Sequence, residues 1–295
     1  MRKHAGAQRP LFGMSEFAAA AEIACATDHC RDGSAGIPGG RPVAGSSWTA
    51  GLRWRDRHGR GHDTRVKDWL AGHAAYDDPS SALSARLRCV RSHLSDAVDR
   101  APAGRVVLVS LCAGQGHDVI GVVPDHPRRD HVRAVLVESD ARNVVLARRA
   151  AAGQGLSGVE VRQADAGLAA GFADVLPADV LLLCGIFGNV SDRDIRRTVR
   201  AAPALCRAGA TVIWTRHRRP PDLTPQIRAW FASAGFGEIA FDALETSALT
   251  SVGVHRLGRG PVAALPDGRL FTFLTASRAR SGRCGYGQDE YRDRY

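Results

Sequence analysis

The stretch Val106-Val107-Leu108-Val109-Ser110-Leu111-Cys112-Ala113-Gly114-Gln115-Gly116-His117-Asp118 decides the predicted fold. Its first six residues are mostly apolar and predict a buried strand, and the Gly-x-Gly pair after them is typical of a tight turn into a helix. Because glycine has no side chain, the backbone of such a turn can approach a ligand closely. The stretch therefore predicts a strand, a ligand-binding turn and a helix that begins at His117.

Short apolar runs alternate with helical patterns after this stretch. Strands are predicted at 106–111, 132–137, 159–163, 179–184 and 210–215. Helices are predicted from 117 and at 140–153, 191–206 and 224–234. Two later runs, 237–244 and 270–276, have no helical pattern between them, which predicts an antiparallel hairpin. The expected fold is α/β and Rossmann-like, with a seven-stranded, mostly parallel sheet, an antiparallel C-terminal hairpin and helices on both faces.

The remaining parts of the chain have other compositions. Residues 1–47 are rich in Gly, Ala, Pro and Ser and predict a disordered leader. Apolar residues at helical spacing within 65–98 predict an N-terminal helical cap over 48–104. The cofactor-binding domain is predicted at 105–278. The charged, Gly-rich tail at 279–295 is predicted to be disordered.

The composition favours a protein of the reducing cytoplasm. Its net charge is +10, and clustered cations would indicate a nucleic-acid partner, but the arginines are scattered among acidic residues. Apolar runs are too short for a membrane span or a secretion signal, so no membrane partner is predicted. Seven cysteines are an odd count for disulfides. Cys25, His29 and Cys30 have no second ligand pair, so no metal site is predicted.

Acidic residues follow the later strands at positions that suit a nucleoside. Glu138 ends the second strand, 22 residues past Gly116, where a carboxylate could accept both hydroxyls of a ribose. Asp165 ends the third strand and could accept the exocyclic amine of an adenine. A loop at 184–192 follows the fourth strand. Ligands of open α/β sheets bind at the carboxyl ends of the strands, where all these features are predicted to lie.

With these motifs, residues 65–276 resemble the class I S-adenosylmethionine-dependent methyltransferases, and more closely a group of bacterial proteins with a Leu-Cys-Ala-Gly-Gln-Gly motif. The resemblance implies S-adenosyl-L-methionine as the cofactor and methyl transfer as the activity. It assigns cofactor-binding positions to Ala113, Gly114, Gly116, Glu138, Asp165, Ala166, Gly185, Phe187, Tyr76 and Arg86. Ser110 stands where the family has an acidic residue, and Cys112 stands where it has a first glycine.

The resemblance also gives each assigned position a role. The glycine turn would pass beneath the methionine part, Glu138 would hold the ribose, and Asp165 with Ala166 would meet the adenine. The loop with Gly185, Phe187 and Asn189 would border the methyl-transfer face. Residues of the cap would contribute further side chains. These roles are expectations from the resemblance.

Two residues are the main candidates for catalysis, and His117 and His255 are further candidates for a base near neutral pH. His217, past the fifth strand, could be a general base or could hold an anionic acceptor with neighbouring arginines, and the alternative is a solvated loop. Asn189 could act at the methyl-transfer face or could only shape a turn after Gly188. Asp118 is interpreted as a stabiliser of the helix that follows it, and Asp140 and Asp192 as helix caps.

The predicted function is methyl transfer to an unidentified acceptor, for which a small molecule is the first choice. A nicotinamide oxidoreductase is the first rival, but its fingerprint needs a third glycine where this chain has Val119. An RNA methyltransferase fits the basic charge but not the loop after the fourth strand, which lacks the Asn-Pro-Pro-Tyr and Pro-Cys motifs. A non-catalytic protein-binding module that keeps the fold is the third alternative.

Overall fold

The computed structural model describes residues 73–258, 264–265 and 268–274. The predicted leader, the predicted tail and the first part of the predicted cap lie outside these residues. No helix in the described part of the chain is both long and apolar enough to cross a bilayer.

The described chain forms one seven-stranded sheet with helices around it. The strands are β1 Val106–Leu111, β2 Val132–Glu138, β3 Val159–Gln163, β4 Ala178–Leu183, β5 Cys206–His217, β6 Phe236–Ala243 and β7 Thr250–Leu257. The helices are α1 Ala82–Arg100, α2 Ala141–Gly153, α3 Asp192–Leu205 and α4 Thr224–Ser233, and a short 3-10 helix, His73–Tyr76, precedes them. The strand order is β3-β2-β1-β4-β5-β7-β6.

The first five strands are parallel, and β7 lies antiparallel between β5 and β6. All six residues of β4 are buried, as expected for a central parallel strand covered on both faces. Helices α1 and α2 pack on one face, through Leu94 and Ala147 among others. Helices α3 and α4 pack on the other, through Val199 and Phe231 among others. The predicted fold class is confirmed.

Side chains at the helix starts explain where three of the helices begin. Ser81 Oγ accepts a hydrogen bond from the Ser84 amide at 3.0 Å before α1. Asp140 caps α2, as predicted from the sequence. The cap of α3 is Ser191, and Asp192 is instead the first residue of the helix. Each cap satisfies a backbone amide that has no partner inside its helix.

The predicted helix from His117 is wrong. Residues 117–122 form turns, followed by 3-10 helices at Val123–Asp125 and Arg129–His131. Pro124 and Pro127 lie in this segment, and a proline disfavours the helical conformation in the residue before it. Too few residues separate the glycine turn from Pro124 for a stable helix to form.

The predicted second strand of the C-terminal hairpin is also misplaced. The strand that pairs with β6 is β7. The described residues 268–274 make only isolated bridges, from Arg269 to Leu168 and from Phe273 to Val190. In β7 the apolar residues Val252 and Val254 face the α1 side of the sheet. The alternate positions carry a glycine and a histidine rather than apolar residues, so β7 does not form a continuous apolar run.

Gly253 of β7 is required because the indole ring of Trp214 lies against it. A Cβ atom at position 253 would lie 2.2 Å from Trp214 Cε2, and the Trp214 side chain is fully buried. We expect Gly253→Ala to lower the free energy of unfolding by about 2 kcal/mol or more, as overpacked cores do. Thermal denaturation measures this. Gly237→Ala in β6, where the added Cβ meets nothing within 4 Å, is the control. Equal melting temperatures for the two variants would contradict the packing argument.

Candidate functional site

The glycine turn after β1 is tight, and three of its residues have left-handed backbone conformations. Cys112, Gly114 and Gly116 have positive φ angles of 55°, 58° and 74°. The Gly116 amide donates to the Ala113 carbonyl at 2.9 Å. A Cβ atom on Gly116 would lie 2.7 Å from Leu136 Cδ2 of β2. Gly116 is therefore needed to seat the turn against the neighbouring strand.

Glu138 connects the glycine turn to the end of β2. Its Oε2 accepts the Gly114 amide at 2.8 Å, and its Oε1 accepts the Asp140 amide at 2.8 Å. The residue is only 8% exposed. A carboxylate offers about four lone-pair sites, so these two bonds leave capacity for two more donors. Glu138 thus both fixes the turn and presents an acceptor pair at the carboxyl end of the sheet.

The ring of His73 lies directly on the glycine turn. A Cβ atom on Gly114 would be 2.3 Å from His73 Cε1. The rings of His73, Tyr76 and His117 form a cluster with centroid separations of 4.7 to 5.6 Å. Burial lowers the pKa of both histidines, and the charge of Arg86 lowers that of His73 further. Both imidazoles are therefore neutral near pH 7 and able to accept a proton.

Charged groups surround this aromatic cluster. Arg86 donates to the Tyr76 hydroxyl at 3.1 Å, and Arg91 donates to the His117 carbonyl through both Nε and Nη2. Asp118 is buried, and its Oδ1 accepts the Val119 amide at 2.8 Å. Burial raises the pKa of Asp118. Its predicted role beside a helix is corrected, because the carboxylate stabilises a turn instead.

Asp165 lies at the start of the loop after β3, half exposed. Its Oδ1 accepts the Gly167 amide at 2.8 Å, and its Oδ2 pairs with Arg269 at 2.7 Å. The Leu270 amide donates to the Gly167 carbonyl at 2.7 Å. The side chain of Ala166 is buried in the core. Segment 268–274 thus packs beside the loop that the sequence assigns to an adenine.

The loop after β4 is held by Asn189. Gly185 has a φ of 75°, and its amide donates to Thr215 Oγ1 at 2.9 Å. Asn189 Nδ2 donates to the Gly185 carbonyl at 2.6 Å, and the Asn189 carbonyl accepts the Leu274 amide at 2.8 Å. The hydrogen bond to Gly185 fits the alternative in which Asn189 only shapes a turn. A Cβ atom on Gly185 would meet nothing within 4 Å, so the loop has open space beside it.

Phe187 and His217 occupy different environments. Phe187 is fully buried, and its ring lies 5.9 Å from that of Trp214. Its side chain therefore belongs to the core, and only its backbone lies along the loop after β4. His217, half buried at the end of β5, accepts the Arg219 amide at Nδ1 over 3.3 Å. Burial lowers the pKa of His217, and the charges of Arg216 and Arg219 lower it further. His217 is therefore a neutral imidazole beside the β4 loop.

The structure brings most of the predicted positions to one edge of the sheet. The glycine turn and Glu138 are in hydrogen-bond contact, and Tyr76 and Arg86 reach the same turn through the aromatic cluster. His73 and Arg91 were missed, since no motif in the sequence marks either residue. A cavity of about 400 Å³ lies elsewhere, between α2 and β3, and its lining has neither a carboxylate nor an imidazole.

Comparisons with known proteins support the fold. No protein-family model matches this chain, and no curated protein matches it either. Among solved structures, an O-methyltransferase family protein from Burkholderia thailandensis is 18% identical, with a TM-score of 0.50 over 66% of this chain and 62% of that one. The two chains share a Rossmann-like fold. This chain spans less than two thirds of the Burkholderia protein's length.

Two further solved structures have lower TM-scores. A possible exported protein from Bordetella parapertussis is 19% identical, with a TM-score of 0.45 over 57% of this chain and 67% of that one. An RNA methyltransferase from Salinibacter ruber, in complex with S-adenosyl-L-homocysteine, is 20% identical, with a TM-score of 0.41 over 60% of this chain and 96% of that one.

Proposed function

We propose that this protein is a class I methyltransferase that uses S-adenosyl-L-methionine and acts on a small-molecule acceptor. The observation that carries the proposal is the pair of hydrogen bonds that the Glu138 carboxylate accepts. They join the glycine turn to the end of β2 and leave two lone-pair sites of the carboxylate for a ligand. In a Rossmann-like fold this is the place where a ribose is recognised. The resemblance to class I methyltransferases makes the adenosine of S-adenosylmethionine the matching ligand.

The residues present fit this cofactor. Glu138 would accept the ribose hydroxyls, and Asp165 with the Ala166 amide would meet the adenine. The glycine turn, with Ala113 in it, would lie under the methionine part, and Arg86 beside Tyr76 would face its carboxylate. The side chain of His73 lies against Gly114, where the methionine part would bind. Because His73 is only half buried, its side chain has room to rotate away when the cofactor binds. When bound, the cofactor supplies an electrophilic methyl group on a sulfonium.

The residues of the chain would then position the acceptor and, where needed, remove its proton. Alignment of the acceptor atom with the methyl group would be the main requirement, because the step is a displacement between two held groups. His217 and His117 are neutral imidazoles near the edge of the sheet, so either can take a proton from a hydroxyl or phenol acceptor. The Gly185–Asn189 loop would form the wall beside that acceptor.

Four arginines near this edge favour a small molecule over RNA. Arg91 is bonded to the His117 carbonyl, Arg216 to the Phe187 carbonyl and Arg218 to the Leu244 carbonyl, while Arg86 is bonded to the Tyr76 hydroxyl. Guanidinium groups held by the protein's own oxygens are less available to a phosphate backbone. The positive charge near the site therefore serves the structure of the loops.

Calorimetric titration with S-adenosylhomocysteine tests the proposal. We expect one site per chain with a Kd of about 10 μM or lower, in the range usual for enzyme ligands. Titration with NAD⁺ is the control, and we expect no heat from it. Absence of S-adenosylhomocysteine binding by the folded protein would exclude the methyltransferase. Binding of NAD⁺ in its place would indicate an oxidoreductase.

A further inference from the structure

A second group of chemically active side chains lies away from the glycine turn. Cys89 and His93 are one helical turn apart on α1, and Asp242 lies near the end of β6. One ligand atom from each residue, namely sulfur, imidazole nitrogen and carboxylate oxygen, lies within 4.8 Å of the others. His93 Nε2 is 2.6 Å from Asp242 Oδ2. The proposed methyl transfer does not use this group.

The fold explains why these three residues meet. Residues four apart on a helix share a face, so Cys89 and His93 point the same way. Helix α1 packs on the β5–β7 part of the sheet. Ala240 and Leu244, in and just after β6, pack with Cys89 in the same apolar cluster. Asp242 is two residues from each of them, so its side chain is on the same face of the strand. The carboxylate of the edge strand therefore faces the helix.

We propose that Cys89, His93 and Asp242 bind a zinc ion. A thiolate, an imidazole and a carboxylate form a ligand set that suits Zn²⁺ better than Mg²⁺ or Ca²⁺. The thiolate and carboxylate together carry two negative charges, which balance the divalent ion. Binding breaks the S–H bond of Cys89, forms a sulfur–zinc bond and passes the proton to water.

The observed spacing is close to that of a zinc site. Tetrahedral zinc with bonds of about 2.0 to 2.3 Å separates its ligand atoms by about 3.3 to 3.8 Å. His93 and Asp242 would move apart by about 1 Å to admit the ion. Their side chains are 18% and 41% exposed, so they have room to move. The exposed side also leaves the fourth coordination position to water.

A nucleophilic role for Cys89 does not fit the same geometry. Burial raises the pKa of Cys89 to about 12, and the neighbouring Asp242 carboxylate contributes to the rise. A cysteine nucleophile needs the opposite environment, since it must be a thiolate near neutral pH. A divalent cation among the three groups would instead stabilise both anions at once.

The test is titration of the reduced, chelator-treated, full-length protein with Co²⁺ and then Zn²⁺. We expect one equivalent of Co²⁺ to produce a thiolate-to-cobalt charge-transfer band, and Zn²⁺ to abolish it. Cys89→Ser should remove the band. Asp242→Asn should weaken Zn²⁺ binding about a hundredfold or more, because the loss of even an outer partner of a metal ligand costs 10- to 100-fold. X-ray absorption of the zinc form should show one sulfur ligand.

The matched control is the double variant Cys25→Ser/Cys30→Ser, which removes the sulfurs beside His29. It should keep the band and the affinity of the unmodified chain. A band that survives in Cys89→Ser, or one that disappears in the double variant, would overturn the proposal. If Cys89→Ser does not fold, the half-exposed Asp242 carries the test, and unchanged zinc affinity in Asp242→Asn would equally overturn it. None of these readouts depends on methyl transfer.

Discussion

Replacing Glu138 with alanine is expected to weaken S-adenosylhomocysteine binding by about a hundredfold or more. The variant would lose two hydrogen bonds between ribose hydroxyls and a charged acceptor, each worth about 1.5 kcal/mol or more. It would also free the Gly114 amide, which Glu138 holds at 2.8 Å, so the turn beneath the cofactor would loosen. Both effects act in the same direction. Isothermal titration calorimetry measures the change.

Two companion variants separate these effects from a general loss of charge or structure. Glu138→Gln keeps one carbonyl oxygen for a backbone amide but donates where the carboxylate only accepts, so we expect an intermediate affinity. Glu160→Ala removes an exposed carboxylate from neighbouring β3 and should leave binding unchanged. Full affinity in a folded Glu138→Ala protein would show that the ribose is bound elsewhere.

The parallel part of the sheet was predictable because its strands are short and strongly apolar. In β1, β2 and β4 nearly every side chain is buried, as continuous apolar runs require when helices cover both faces. Helical patterns after β2, β4 and β5 were predicted as well, and α-helices follow those three strands. β3 and β5 were also predicted, at 159–163 and 210–215, so each of the five parallel strands was predicted from the sequence.

The antiparallel edge was harder to predict because its pattern is polar on one face. Gly253 and His255 of β7 pack against the Trp214 ring, so the partner strand supplies the apolar bulk that β7 lacks. A single sequence does not show that a large side chain on one strand fills the space beside small residues on its neighbour. The segment 270–276 is more apolar, so the second strand of the hairpin was predicted there instead.

The site was predictable only where residues near in sequence decide it. The spacing between the glycine turn and Glu138 reflects one strand–crossover–strand unit, formed by the parallel strands β1 and β2, and the two are indeed in contact. His73 reaches the same turn from outside that unit. The Cys89, His93 and Asp242 cluster needs a contact across 149 positions, which no local pattern encodes.

The largest stability effect we expect depends on pH and arises from His255. Its side chain is 1% exposed and stacks on Phe231, with ring centroids 4.5 Å apart. Neither ring nitrogen has a hydrogen-bond partner among the described residues. Burial lowers the pKa of His255 to about 4, and the charge of Glu238 opposes this shift. The imidazole is therefore buried in its neutral form.

The sign of the effect follows from where the proton binds. Well above pH 6.5 this histidine is almost entirely unprotonated in both the folded and the unfolded chain, so its contribution is complete. Between pH 6.5 and pH 4 the unfolded chain takes up a proton that the folded chain refuses, so the free energy of unfolding falls. The loss reaches about 3 kcal/mol at the low end of this range, at 1.36 kcal/mol per pKa unit. Urea denaturation at pH 7.5 and pH 4.5 measures it.

His255→Phe isolates this contribution, because phenylalanine keeps an aromatic ring against Phe231 and cannot take up a proton. Burial also lowers the pKa of His73, His117 and His217, and these act in the same direction in both proteins, so they cancel in the comparison. We expect the variant to lose less stability on acidification than the unmodified chain, by about 2 kcal/mol or more. Equal losses would mean that the buried imidazole accepts its proton without unfolding. A charge could then be accommodated between Trp214 and Phe231, and the stacked rings would not form a closed apolar core.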